Sequence, residues 1–174
     1  WRSVIAAVEV AYANTEDLCH QFSSAFKRLR QLLPNVAIPR VYAQISALDQ
    51  SIVVGNGTIG ISLDKYRGPN YPLYAKFYSP TQRKQMSREY ILPDCMTFYL
   101  MSVYPLQHFE SRPQVERDLQ IGKIQWLVNQ VMSKRIYHSR YEEAVDEYMK
   151  KNPKISYEEL LRMTDFSKFN TTGY

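Results

Sequence analysis

All the strand-like sequence in this chain falls in one window, residues 40–63, with helical periodicity on either side. Residues 40–48 (RVYAQISAL) alternate with period two, setting Val41, Ala43 and Ile45 on one side and Tyr42, Gln44 and Ser46 on the other. Residues 51–54 and 58–63 are two further β-branched runs. Gly55-Asn56-Gly57 joins them as a tight-hairpin linker, because glycine and asparagine tolerate positive φ. Three successive strands without a helix between them predict an antiparallel meander. A sheet that small needs helices to cover it.

The flanks supply those helices. Leu18, Phe22, Phe26, Leu29 and Leu33 recur at three- and four-residue steps, which predicts a helix over residues 15–33 with one buried face. Asn14 or Thr15 caps its start, Glu16 and Asp17 sit in its first turn, and Pro34-Asn35 stops it. A shorter helix precedes it over residues 4–12. Beyond the sheet, Ser79 and Pro80 open a short helix reaching residue 86, and Pro93 opens another over residues 94–103. Residues 114–132 form the longest candidate, with Val115, Leu119, Ile124, Leu127, Val128 and Val131 as its stripe and Trp126 beside it. Gly122 inside that helix costs about 1 kcal/mol against alanine, which close packing on another backbone would offset.

Two late helices declare their starts through the capping boxes Ser139-x-x-Glu142 and Ser156-x-x-Glu159. Tyr141, Ala144, Val145, Tyr148 and Met149 fall on one face of the first, and Ile155 with Leu160 forms a hydrophobic staple around the second. The expected fold class is α+β: N-terminal helices, a small three-stranded, largely antiparallel sheet, then a C-terminal helical region. Its length, 174 residues, fits a single domain over residues 1–174.

Charge narrows the partners. The chain carries 22 basic and 17 acidic residues, a formal net charge of +5. Its densest basic clusters are Lys27-Arg28-x-Arg30, Arg83-Lys84, Lys134-Arg135 and Lys150-Lys151, dispersed and partly at helix C-termini, where cations complement the dipole. No nucleic-acid recognition motif accompanies them, so they read as solvated faces and no nucleic-acid partner is expected. Cys19 and Cys95 lack metal-ligand spacing; one long-range disulfide and two separate thiols are both open. No run is long enough to span a bilayer. A chain that opens at Trp1 is expected to be a processed or truncated product, with any signal peptide or lipid-attachment cysteine upstream.

No catalytic set emerges. A zincin needs two histidines at i and i+4 with a glutamate after the first. The histidines here are His20, His108 and His138, none at that spacing. There is no G-x-S-x-G, and Gly55, Gly57 and Gly60 lie within a hairpin rather than in a phosphate-binding strand-to-helix turn. No metal or cofactor is expected.

One stretch remains, IGISLDKYRGPNYPLY, where the third strand runs into a loop carrying Asp64, Tyr66, Arg67, Asn70, Tyr71 and Tyr74. Asp64 can accept hydrogen bonds from the loop backbone or pair with Arg67 or Arg88. The tyrosine rings, part of a surplus of 14 in the chain, can stack on a sugar or grip an extended peptide. The alternative is a structural corner packed on the core.

At this loop the chain resembles the gliding-motility lipoprotein family GldB of the Bacteroidetes. The resemblance is carried by AFKRLRQLLPN (residues 25–35), then RVYAQISALDQSIVV, then IGISLDKYRGPNYPLY, in that order. REYILPD (residues 88–94), IGKIQW (residues 121–126) and the ending YMKKNPKISYEELLRMTDFSKFNTTGY add to it. One departure is a connection between the Gly122-Lys123 helix and the Ser139 helix much shorter than in typical members. The resemblance implies a lipid-anchored, periplasm-facing envelope protein that binds an envelope protein or glycan of the gliding or secretion apparatus. Membrane attachment would come only through an N-terminal lipid anchor outside this chain. The binding residues expected are Asp64, Tyr66, Arg67, Asn70, Tyr71, Tyr74 and Arg88. The competing expectation is a degenerate zincin-like peptidase or glycan-acting hydrolase, for which the chain lacks the HExxH.

Overall fold

The β-rich window does form a three-stranded sheet, and its topology corrects the expected meander. The computed structural model describes residues 1–172; Gly173 and Tyr174, the last residues of the terminal tail that entered the resemblance, lie outside the described residues. The strands are β1 (Arg40–Gln44), β2 (Ile52–Gly55) and β3 (Thr58–Ser62), in spatial order β1-β3-β2. β2 and β3 form the antiparallel hairpin, Gly55 opposite Thr58, with Gly57 at φ 68° in the turn. β1 pairs with β3 instead of β2, and in parallel, Arg40 opposite Thr58 and Gln44 opposite Ser62. The sheet is therefore mixed.

The cause is the seven residues after β1, which cross the C-terminal end of β3 instead of turning back beside β1. Ala47 and Leu48 both adopt positive φ there, 59° and 62°, a costly conformation for residues with a Cβ. Asp64, two residues past β3, holds them. Its Oδ1 accepts from the Ser46 N–H at 3.0 Å and its Oδ2 from the Leu48 N–H at 2.7 Å. The central strand buries Ile59 and Ile61, whereas β1 is mostly exposed, as an edge strand can be.

The chain forms two compact units. The first comprises Trp1–Phe26 and Ala37–Phe98. It contains α1 (Arg2–Ala11), the first part of α2 (Glu16–Leu32), the sheet, α3 (Pro80–Lys84) and the first part of α4 (Ile91–Val103). Asn14 caps α2 through its Oδ1, and Ser79 with Gln82 closes a full capping box on α3. α4 begins at Ile91, ahead of the expected start, because Pro93 occupies the first turn, where no intrahelical N–H partner is required. Cys19 is exposed and Cys95 buried, and both are free thiols.

The second unit takes Lys27–Val36 and the chain from Tyr99 on. It is built on α5 (Gln114–Met132), α6 (Arg140–Lys151) and α7 (Tyr157–Arg162). Gly122 has the close backbone packing that its place in a helix required: a Cβ there would lie 2.9 Å from the carbonyl carbon of Tyr141 on α6. Ser156 and Glu159 form the complete capping box expected of α7. At α6 only half of the expected box exists. Ser139 accepts from the Glu142 N–H, but the buried Glu142 carboxylate takes bonds from Asn129 (3.1 Å) and Arg135 (2.6 Å).

Lys123 is fully buried in this unit. Its Nζ donates to the carbonyls of Leu160 at 3.1 Å and Met163 at 2.6 Å, and it sits 4.7 Å from the Phe166 ring centroid. Burial, reinforced by the Arg112 charge, pulls its pKa from 10.5 down to about 8. Between those values the unfolded chain keeps a proton that the folded chain has shed. The fold therefore carries the penalty below about pH 8 and gains stability as pH rises through the window. Urea unfolding at about pH 8 and about pH 10 is expected to show wild type gaining about 2 kcal/mol relative to Lys123→Met. The comparison cancels the opposing contributions of buried phenols and thiols, such as Tyr104 and Cys95, whose pKa values burial raises. A difference that stays flat across this range would contradict the assignment.

Candidate functional site

The stretch after β3 folds as a corner in the first unit, and most of its polar chemistry is turned inward. Residues Leu63–Lys65 make one 3₁₀ turn and Pro72–Lys76 another. Asp64 is fully buried, its two oxygens occupied by the backbone amides of the crossing loop. Lys65 supports the same loop, its Nζ reaching the Leu48 carbonyl at 3.3 Å and the Tyr78 hydroxyl at 2.7 Å. Tyr78 in turn donates to the Leu48 carbonyl at 3.0 Å. The chain thus uses consecutive acidic and basic side chains to tie one loop from both ends.

Tyr74 is fully buried in the middle of the corner. Its hydroxyl donates to the Asp64 carbonyl and accepts from the Arg67 N–H at 3.0 Å. Its ring meets those of Tyr71 and Tyr78 edge-on, with centroids 5.0 and 5.8 Å away. Tyr66 is buried as well; its hydroxyl donates to Asp94 at 2.8 Å, and its carbonyl accepts from the Tyr12 hydroxyl. Burial raises the pKa of both Tyr66 and Tyr74, with the Asp94 charge adding to the effect at Tyr66. Tyr12 is pushed up to about 12, also chiefly by burial. These phenols act as neutral donors.

Arg88 does not meet Asp64. Its Nε and Nη2 form a fork on Asp17 at 3.1 and 2.5 Å, Nη2 also reaches the Asn14 carbonyl, and Nη1 reaches the Ala11 carbonyl. The guanidinium lies 4.9 Å from the Tyr12 ring centroid. It clamps the end of α1 to the start of α2, and its hydrogen bonds hold the Asp17 carboxyl below the usual carboxylate range.

Of the seven residues singled out from the sequence, Asp64, Tyr66, Arg67, Tyr71 and Tyr74 share this corner, Arg88 serves the helix junction, and Asn70 is exposed. Arg67 stacks over Tyr71 at 5.2 Å, and its Nε has no hydrogen-bond partner among the described residues. Tyr71 is half-buried and opens onto a groove of about 670 Å³. Pro72, Leu73, Phe77 and Lys76 continue its wall, with Trp1 and Leu48 among the other lining residues. Phe77 is 66% exposed and Trp1 63%.

The sequence reading missed Phe77, Trp1 and Leu48. Phe77 belongs to no periodic pattern, and Leu48 reaches the groove only because the loop crosses β3. The one available signal was the adjacent aromatic pair Phe77-Tyr78 just ahead of Pro80. Among the described residues, no group of three His, Cys, Asp or Glu side chains is placed to hold a metal ion, and no helix is long and apolar enough to cross a membrane.

Comparison with known families gives one match. The model of a family described as gliding motility protein GldB matches residues 1–138. The match ends just before the Ser139 cap of α6. No curated protein and no solved structure matches.

Proposed function

The chain belongs to the gliding motility protein GldB family, and from that premise we propose that it is a non-enzymatic domain that captures an apolar segment of another envelope protein in the groove beside Tyr71. The family is one of cell-envelope lipoproteins. On this reading the domain faces the periplasm from a lipid anchor, and its partner belongs to the gliding or secretion apparatus.

The observation that carries the proposal is the exposure of Phe77 and Trp1 beside Tyr71, around a concavity lined mainly by apolar groups. Large aromatic rings clustered at a concave surface are the usual anchors of protein interfaces, because covering them removes much apolar area with little loss of side-chain freedom. Lys76 on the groove wall and Arg67 over Tyr71 favour a partner with a carboxylate flanking its apolar residues. The competing hydrolase reading would need an acid or base at this corner. The carboxylates that this corner engages are already committed, Asp64 buried on two backbone amides and Asp94 accepting from the Tyr66 hydroxyl.

Tyr66→Ala is unsuitable as a test, since it would empty a buried site and orphan the bond to Asp94. Tyr71→Ala combined with Phe77→Ala removes groove wall while leaving the Asp64 clasp in place. The double variant is expected to keep the wild-type unfolding free energy to within about 1 kcal/mol and to lose at least about tenfold in capture of its envelope partner from detergent extracts. Undiminished capture by the folded double variant would refute the groove as the site. Capture of a glycan strand in place of a protein would refute the partner class.

A further inference from the structure

Three of the four basic clusters in the sequence converge on one pocket in the second unit. Arg28 of α2, Lys134 and Arg135 after α5, and Lys150 of α6 line a polar concavity of about 540 Å³, together with Glu142 and Asp146. Its two acids are already satisfied. Glu142 accepts from Asn129 on one oxygen and from Arg135 on the other. Asp146 accepts from the Trp126 indole N–H at 3.0 Å and pairs with Lys150 at 2.6 Å. Four cations against two carboxylates leave the lining with a formal charge of +2.

That surplus belongs to Arg28 and Lys134, whose side chains make no hydrogen bond or ion pair among the described residues. Cations at helix C-termini are ordinarily explained by the helix dipole, and Lys134 and Lys150 fit that account singly. It does not explain Arg28, which lies before the last turn of α2, or why separate elements bring their cations to one concavity. Arg135, moreover, is held in a fixed orientation by the buried Glu142, itself braced by Asn129, so one guanidinium of the pocket is positioned in advance.

We propose that this pocket binds a phosphomonoester. The group carries about −1.5 to −2 charge near neutral pH, which matches the surplus, and its tetrahedral oxygens accept from guanidinium forks and ammonium groups together. A single carboxylate would leave about half the excess uncompensated. The proposal is independent of the aromatic groove, which lies in the first unit and engages an apolar partner.

The test uses the full chain, with inorganic phosphate as the soluble probe and phosphatidylcholine vesicles doped with phosphatidic acid as the membrane-borne one, at fixed ionic strength. Phosphate is expected to produce saturable amide shifts around Gln130 to Arg135. Affinity should fall about tenfold for each of Arg28→Ala and Lys134→Ala, and stay unchanged in Lys84→Ala, an exposed cation of the first unit. Both pocket variants should melt as wild type does, since neither side chain holds structure. Flotation with the doped vesicles, lost in the Arg28→Ala/Lys134→Ala double variant, identifies a lipid headgroup as the source. Phosphate binding without flotation identifies a soluble phosphomonoester. Absence of saturable shifts, or equal affinity in the double variant, overturns the proposal.

Discussion

Asp64→Ala is expected to destabilise the first unit by about 3–6 kcal/mol, through two lost charge-assisted hydrogen bonds of about 1.5–3 kcal/mol each. The Ser46 and Leu48 amides would be left without their acceptors at the end of β3. The crossing loop would keep its two left-handed residues, Ala47 and Leu48, without the carboxylate that stabilises them. Asp64→Asn retains one acceptor oxygen but turns an NH₂ toward the other amide, so an intermediate loss is expected. Urea unfolding followed by far-UV circular dichroism measures both. A loss below about 1 kcal/mol for the alanine variant would show that the carboxylate does not hold the loop, and would return Asp64 to the list of ligand-binding candidates.

Gly122→Ala is expected to be nearly as damaging, by about 2–4 kcal/mol, although alanine is the better helix former by about 1 kcal/mol. The added Cβ would stand 2.9 Å from both the carbonyl carbon and the Cβ of Tyr141, and 3.1 Å from the Glu142 nitrogen. Two of these three atoms are backbone, so no rotamer change relieves the overlap. The start of α6 must move away from α5. Moving it also pulls Glu142 from Asn129 and Arg135, a bonded set with a carboxylate only 3% exposed. The urea midpoint reads the cost, and the tryptophan signal of Trp126, which bonds to Asp146 on α6, reads the displacement. A variant as stable as wild type would mean that the two helices pack less closely than described.

What was legible in the sequence was local. The longest helix, residues 114–132, and the Ser156–Glu159 box follow from side-chain periodicity and from groups three residues apart. The Gly122 contact was inferable as a requirement, though not its partner on α6. The β1–β3 pairing was not legible, because nothing in residues 40–54 says that a carboxylate at residue 64 will bend the intervening loop over β3. Glu142 was misplaced for a related reason. Its spacing from Ser139 fits a capping box, but a buried Asn129 and a nearby arginine offer the carboxylate better partners.

The candidate site divides along the same line. A tyrosine-rich loop after a buried strand was visible, yet which rings point outward depends on tertiary hydrogen bonds. Tyr66 and Tyr74 are buried with their hydroxyls bonded to Asp94 and the Asp64 carbonyl, whereas Tyr71 is only half-buried.

The mixed sheet has a consequence for how the chain closes on itself. Gly55 meets Thr58 three residues on, while Arg40 meets the same residue across 18, from 58 − 40. Polymer statistics put the extra entropy of the longer closure near (3/2)RT ln 6, about 1.6 kcal/mol. The hairpin is thus a short-range event, and the edge strand joins only after a distant segment has been gathered in. A single anion past the third strand supplies the means of gathering it.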